Sequence, residues 1–305
     1  MHKFLNVVDQ KLKETTDGEG LVHLYINPDE TEKRYLIDTL KIDEHTLASA
    51  LDPDELSRLE VEPEHVAIIF KRPKSYSYKD QFVFKVASTG LFLFKDRLVV
   101  VISEDVPIFD GALPMRAETP AYVMLRIIYR SIFHFLEHLK VISHISDEMQ
   151  DKINRAMENR YLINLFTLEK SLVYYLNYIN SNSLLLDKLR LNAAKFGFST
   201  EEQELLEDTY IENGQCYRQA EIYSNILASL MDARASIVSN NINVLVKTLN
   251  IITIGIMVPT LVVSIFSMNV VLPLSQDAPR SFWMIMGLAA ASVMGVAYLW
   301  WRKRW

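Results

Sequence analysis

Two long runs without a charged residue, both near the C-terminal end, constrain this chain more than any other feature. Residues 248–276 carry no charge, and their apolar part, 249–268, is about 20 residues long, enough at 1.5 Å per residue to cross a hydrocarbon core of roughly 30 Å. A second uncharged run, 281–301, has the same spanning length. Between them, 269–280 holds Pro273 and Pro279 and sets Asp277 against Arg280, the composition of a short hairpin loop. Lys247 precedes the first run and Arg302, Lys303 and Arg304 follow the second, so the excess of cations places both termini in the cytoplasm. Trp283, Trp300, Trp301 and Trp305 stand near the ends of the second run, where an interfacial aromatic belt belongs. Gly287, Ala291 and Gly295 put a small side chain at every fourth position, which permits close helix packing in lipid; an alanine-rich composition would give the same pattern.

The remaining composition excludes several classes. A net charge of −6 argues against a basic nucleic-acid surface. Cys216 is the single cysteine, so there is neither a disulfide framework nor a cysteine metal cluster, and the bulk of the chain reads as facing a reducing compartment. The first residues run into Asp9, Lys11 and Lys13 without an apolar core, which is not the pattern of a signal peptide. No phosphate-binding loop, dinucleotide fingerprint or nucleophile–base pair stands out, so the chain is not read as an enzyme and no covalent cofactor is expected. His134 and His138 share one helix face with Glu137 between them, but Phe133, Phe135 and Leu136 around them favour packing histidines over metal ligands. Tyr174, Tyr175 and Tyr178 read as helix-packing groups.

Ser199-Thr200-Glu201-Glu202 has the form of a capping box, and no proline follows until Pro259. A helix starting there runs straight into the first span, on the order of 100 Å in all, with Gly214 its one glycine before Gly255. Upstream, 114–140 and 146–190 read as long helices joined by Ser143-His144-Ile145-Ser146. Before residue 110, short β-rich runs at 22–26, 66–70, 82–87 and 91–103 alternate with helical pieces at 43–50 and 53–60. The expected fold is an α+β cytosolic domain, a sheet covered by helices, followed by a long stalk helix continuous with the first of two C-terminal transmembrane helices. The expected parts are a cytosolic domain over 1–195, stalk and first span over 196–268, an external loop over 269–280, and a second span with a basic cytosolic tail over 281–305.

Polar residues in and before the first span do not scatter. Asn243, Asn250, Thr253, Thr260, Ser264 and Ser267 are joined by Val246 and Met257 in alternating steps of three and four, which keeps them on one side of a helix. A polar stripe inside a membrane requires a protein partner or water. A water-lined path competes here with hydroxyls bonding back to their own helix, and with polar glue between the helices of a membrane anchor. Pro259 frees the carbonyl of Gly255, which water accommodates more easily than lipid. One helix cannot enclose a pore, so a water-lined path requires several copies around an axis.

The first span ends in Ile265-Phe266-Ser267-Met268-Asn269. This resembles the Gly-Met-Asn signature of the CorA family of magnesium and divalent-metal transporters, placed after the first of two C-terminal spans as in that family. The approach Ser239-Asn240-Asn241-Ile242-Asn243, the step Met257-Val258-Pro259-Thr260 and the basic C-terminus agree in position. Serine at 267 departs from the family's glycine, and glycine permits backbone shapes that serine resists. The resemblance implies a homopentamer in the lipid bilayer of the cell membrane, with the first span lining the pore. Asn269 would ring the external entrance, and Asn243, Met257 and Thr260 would lie further along. It also implies a regulatory role in sensing Mg²⁺ for Asp208 and Asp232, for which plain exposed carboxylates are the alternative. The sequence therefore reads as a passive channel for hydrated divalent cations, Mg²⁺ first, gated by its cytosolic domain. The alternatives are a Zn²⁺, Co²⁺ or Ni²⁺ transporter of the same family, or a non-conducting membrane-anchored sensor or scaffold.

Overall fold

The computed structural model describes residues 1–15, 20–76, 82–106, 118–156, 159–268, 270 and 279–303. The chain divides into two compact units, Met1–Met231 and Asp232–Trp305.

The first unit is built on a seven-stranded sheet. Its strands are β1 (His2–Val8), β2 (Lys11–Thr15), β3 (Val22–Ile26), β4 (Arg58–Val61), β5 (Val66–Pro73), β6 (Val86–Leu93) and β7 (Leu98–Ile102), in the order β2-β1-β3-β7-β6-β5-β4. Only the β3–β7 pair is parallel; the other pairs are antiparallel. β7 reads Leu-Val-Val-Val-Ile with every residue buried, the signature of a strand covered on both faces. Val99 and Val101 meet Leu36 of the π-helical turn Tyr35–Thr39 that follows α1 (Glu30–Arg34), Ile42 of the next connection, and Leu47 and Ala50 of α2 (Glu44–Leu51). Leu98, Val100 and Ile102 face the larger core formed with α3 (Pro120–Ala156), α4 (Asn159–Asn192) and the first part of α5 (Thr200–Phe266).

The sheet admits α2 closely because Gly90 has no side chain. A Cβ there would lie 2.5 Å from the Cβ of Ala50. β4 pairs with β5 only as far as Ile69, so the next stretch of the β5 edge needs another partner. The buried Asn182 of α4 supplies it: its Nδ2 donates to the Lys71 carbonyl at 2.9 Å, and its Oδ1 accepts from the Lys71 N–H at 3.1 Å. The Ser57 hydroxyl donates to the same oxygen at 2.6 Å.

Several expected elements are corrected. The expected strand at 91–103 is two strands, because Phe94 N–H closes a tight turn on Arg97 O at 3.0 Å. The strand expected from residue 82 begins at Val86. The helical piece expected at 53–60 is a turn followed by β4, with the Asp52 carboxylate accepting from Asp54 N–H at 2.9 Å. The expected break at 143–146 is absent: α3 runs through it, since Ser-His-Ile-Ser holds neither proline nor glycine and Ile142, Ser146 and Met149 continue the buried stripe. Residues 114–117 of that expected helix lie outside the described residues, and the helix begins at Pro120.

The capping box is formed as the sequence suggests. Glu202 N–H donates to Ser199 Oγ at 3.3 Å, and Ser199 N–H donates to Glu202 Oε2 at 2.7 Å. Gly197, at φ +71°, lets the chain reverse from α4 into α5. Leu206, Thr209, Asn213, Cys216, Ala220 and Leu227 then form a buried seam in alternating steps of three and four, with one step of seven. In the second unit, α5 continues to Phe266 and α6 spans Pro279–Lys303.

Candidate functional site

Apolar helices in a folded chain are either core helices or membrane helices, and burial separates the two. No residue in the most apolar stretch of α5 is buried, and only 6% of that of α6 is. Both helices are long and apolar enough to cross a membrane.

Each has one face that is less exposed. On α5 this face is Ile251, Gly255, Val258, Pro259, Val262 and Phe266; on α6 it is Ser281, Ile285, Ala289, Ser292 and Val296. At about 100° per residue, the stripe of Asn243, Val246, Asn250, Thr253, Met257, Thr260, Ser264 and Ser267 lies on the opposite side of α5 from its covered face. Every member of the stripe is exposed, Met257 at 63% and Val246 at 50%. The polar side of the helix is therefore not used in packing within the chain. Ile252, Ile256 and Leu261 flank it, as lipid or a neighbouring helix would require.

The hydroxyls on this stripe have a defined polarity. Thr253 Oγ1 donates to Leu249 O at 2.9 Å, and Thr260 Oγ1 donates to Ile256 O at 2.6 Å. Back-bonding thus operates, but it uses the hydroxyl proton alone and leaves the oxygen lone pairs as acceptors. A row of acceptors matches the outer face of a hydrated cation, whose water ligands present hydrogens.

At the end of the helix, Ser267 N–H and Ser267 Oγ both donate to Ser264 O, at 3.2 Å and 3.0 Å. Ser267 is not among the described residues with left-handed backbone, so this turn has no need of glycine. Met268 is exposed at 53%, and Asn269 lies outside the described residues.

The two stalk acids, Asp208 and Asp232, belong to different units of the chain. Asp208 is exposed on the first-unit part of α5, where its charge and that of Glu212 help raise the pKa of Tyr129, after burial as the larger cause. Asp232 is also exposed, and its backbone carbonyl accepts from Ser236 Oγ at 3.2 Å. No group of three histidine, cysteine or carboxylate side chains able to hold a metal occurs among the described residues. His138 packs as its neighbours suggest: its Nδ1 lies 2.7 Å from the Tyr175 hydroxyl, and burial pushes its pKa down to about 3, so the imidazole is neutral. His134 meets it edge-on at 4.4 Å. Of the three tyrosines, Tyr175 is fully buried, whereas Tyr174 and Tyr178 line an open cavity that their spacing in the sequence does not announce.

Comparison with known proteins agrees with this architecture. The family model described as CorA-like Mg2+ transporter protein matches residues 22–304. The cobalt/magnesium transport protein CorA of Methanocaldococcus jannaschii is 27% identical over 293 residues, covering 92% of this chain and 89% of that protein. The structure of the complete CorA magnesium transporter from the same organism superposes with a TM-score of 0.79 at 20% identity, covering 99% of this chain and 96% of that one. The full-length CmaX protein gives a TM-score of 0.72 at 14% identity, covering 100% of this chain and 98% of that one. The likeness of fold thus extends over both units and both apolar helices, and with a family match from residue 22 to residue 304 the chain belongs to the CorA-like Mg2+ transporter family.

Proposed function

We propose that this chain is a homo-oligomeric channel for passive transport of hydrated divalent cations, Mg²⁺ first, lying in the cell membrane with both termini in the cytoplasm. The observation that carries the reading is the exposed acceptor stripe of α5, turned away from the covered face of the same helix. An isolated membrane anchor has no use for such a stripe. Arranged cyclically, copies of α5 would enclose a path lined by Asn243, Asn250, Thr253, Met257, Thr260 and Ser264. A pentamer is the arrangement proposed from family resemblance. Ser267, Met268 and Asn269 would form its outer mouth, where amide oxygens accept hydrogen bonds from water bound to Mg²⁺ without stripping it. Amides hold a divalent ion less tightly than carboxylates, and conduction requires release as well as entry.

Gating is proposed to run through α5, one helix of 67 residues that leaves the compact sheet unit and becomes the first span. Mg²⁺ bound between subunits at Asp208 and Asp232 would neutralise facing carboxylates, and its loss would let them repel and open the ring. Spin-label distances across the ring that stay fixed as the cation is removed would contradict this. The curated relative is named for cobalt as well as magnesium, which favours Co²⁺ as a second cargo.

The test is influx of Mg²⁺, Co²⁺ and Zn²⁺ into dye-loaded liposomes holding the purified protein or its Asn269→Ala variant. Mg²⁺ influx that is lost in the variant supports the channel and its proposed entrance. Silence for all three ions, with the oligomer intact, would leave the non-conducting sensor.

A further inference from the structure

A cavity of about 580 Å³ opens in the first unit between the middle of α4, the ends of β5 and β6 and the Pro53–Asp54 turn. Its charge runs against that of the chain, which is −6 as a whole: three lysines, Lys74, Lys85 and Lys170, line it with one carboxylate, Asp54. Lys74 is occupied by an ion pair with Glu104. Lys85 and Lys170 are exposed and have no ion pair among the described residues.

The walls are aromatic. Tyr174 and Phe166 remain 49% and 58% exposed at this cavity, while Tyr175 next in sequence is fully buried. The Lys170 ammonium stands 6.0 Å from the Tyr174 ring. On the other side, Tyr178 is backed by the Lys71 ammonium at 5.3 Å, itself fixed by hydrogen bonds to Pro53 O at 2.8 Å and Ser88 Oγ at 2.6 Å. Thr167 donates its proton to Ile163 O at 3.0 Å, so its oxygen is left as an acceptor.

Free ammonium groups suit phosphate, open aromatic faces suit a planar base, and an acceptor hydroxyl suits a ribose or base donor. The volume is that of a small-molecule site. We propose that this cavity binds a nucleotide, with the base stacked on Tyr174 and the phosphates on Lys85 and Lys170.

The experiment is calorimetric titration of the full-length protein in detergent, dialysed free of divalent cations with EDTA, using ATP and inorganic tripolyphosphate as probes. Both probes chelate metal, so the comparison controls for depletion. The variants are Lys85→Glu, Lys170→Glu and Tyr174→Ala, all at exposed positions, with gel filtration to confirm the oligomer. Saturable ATP binding is expected, weakened about tenfold or more by each lysine reversal. Tyr174→Ala should weaken ATP and leave tripolyphosphate unchanged. Absence of saturable ATP binding to the unmodified protein, or binding indifferent to both lysine reversals, overturns the proposal. Tripolyphosphate binding as tightly as ATP overturns the nucleotide assignment. A Lys170→Glu variant that alters oligomer size while ATP binding is unchanged shows a second copy of the chain in the cavity instead.

Discussion

Gly90, Asn182 and His138 each hold two layers of the first unit together by a different physical effect. At Gly90 the effect is space: a methyl group would meet Ala50 and the Phe92 ring at 2.5 Å and 3.0 Å. Gly90→Ala should destabilise the unit by about 1–3 kcal/mol, the usual scale of overpacking, seen as a lower Tm in detergent with α2 the first element to lose amide protection. At Asn182 the effect is hydrogen bonding, because its amide serves both backbone groups of Lys71. Asn182→Ala should destabilise by about 3 kcal/mol, more than removing an exposed asparagine, since two buried backbone groups lose their partner. At His138 the effect is the neutrality of a buried imidazole. Burial holds the folded pKa near 3 against 6.5 in the unfolded chain, so below pH 6.5 the unfolded state binds a proton that the folded state refuses. The stability this residue confers is present above pH 6.5 and is lost as pH falls from 6.5 towards 3. His138→Asn, which keeps an acceptor for the Tyr175 hydroxyl and cannot titrate, should show a smaller drop in Tm between pH 7 and pH 5. The packing role of His138 is legible from its aromatic neighbours. That of Asn182 is not, because nothing near a polar residue in mid-helix announces which strand edge it will meet.

At the scale of elements, legibility follows length and chemistry. α5 is readable because a capping box marks its start, no proline interrupts its soluble part, and a periodic stripe persists into the span. α3 reads as shorter than it is because two serines flank His144 and Ile145, a composition that suggests a break; the buried stripe on either side decides otherwise. β1, β2 and β4 escape notice because they are mixed in polarity and mostly only half-buried, so no apolar run marks them. β6 and β7 are hard to bound because their turn, Phe94 to Arg97, contains neither glycine nor proline. The proposed pore face of α5 carries its own test. Thr253→Val keeps shape and removes the acceptor, and it should lower Mg²⁺ flux by about fivefold or more, the rate equivalent of one net hydrogen bond. Ile252→Val on the flank should leave flux unchanged.

For the whole molecule, the division of labour follows from the burial pattern. The first unit closes its own core on both faces of one sheet, and the second leaves its apolar surface and its polar stripe exposed. Lipid accounts for the apolar surface; the channel reading gives the polar stripe to water. The stripe is visible in the sequence by its spacing, whereas its position opposite the covered face required the structure. The single native cysteine, Cys216, is fully buried, and burial pushes its thiol up to about 12, so it stays protonated and out of reach of polar reagents. That makes a cysteine scan along α5 readable against the native background. Single cysteines would be placed from 250 to 266, the protein reconstituted in liposomes, and Mg²⁺ flux followed on adding a membrane-impermeant thiol reagent. The account predicts block at Asn250, Thr253, Met257, Thr260 and Ser264, and no effect at Ile251, Gly255, Val258 and Val262. Block with no helical period, or block confined to the covered face, would contradict it.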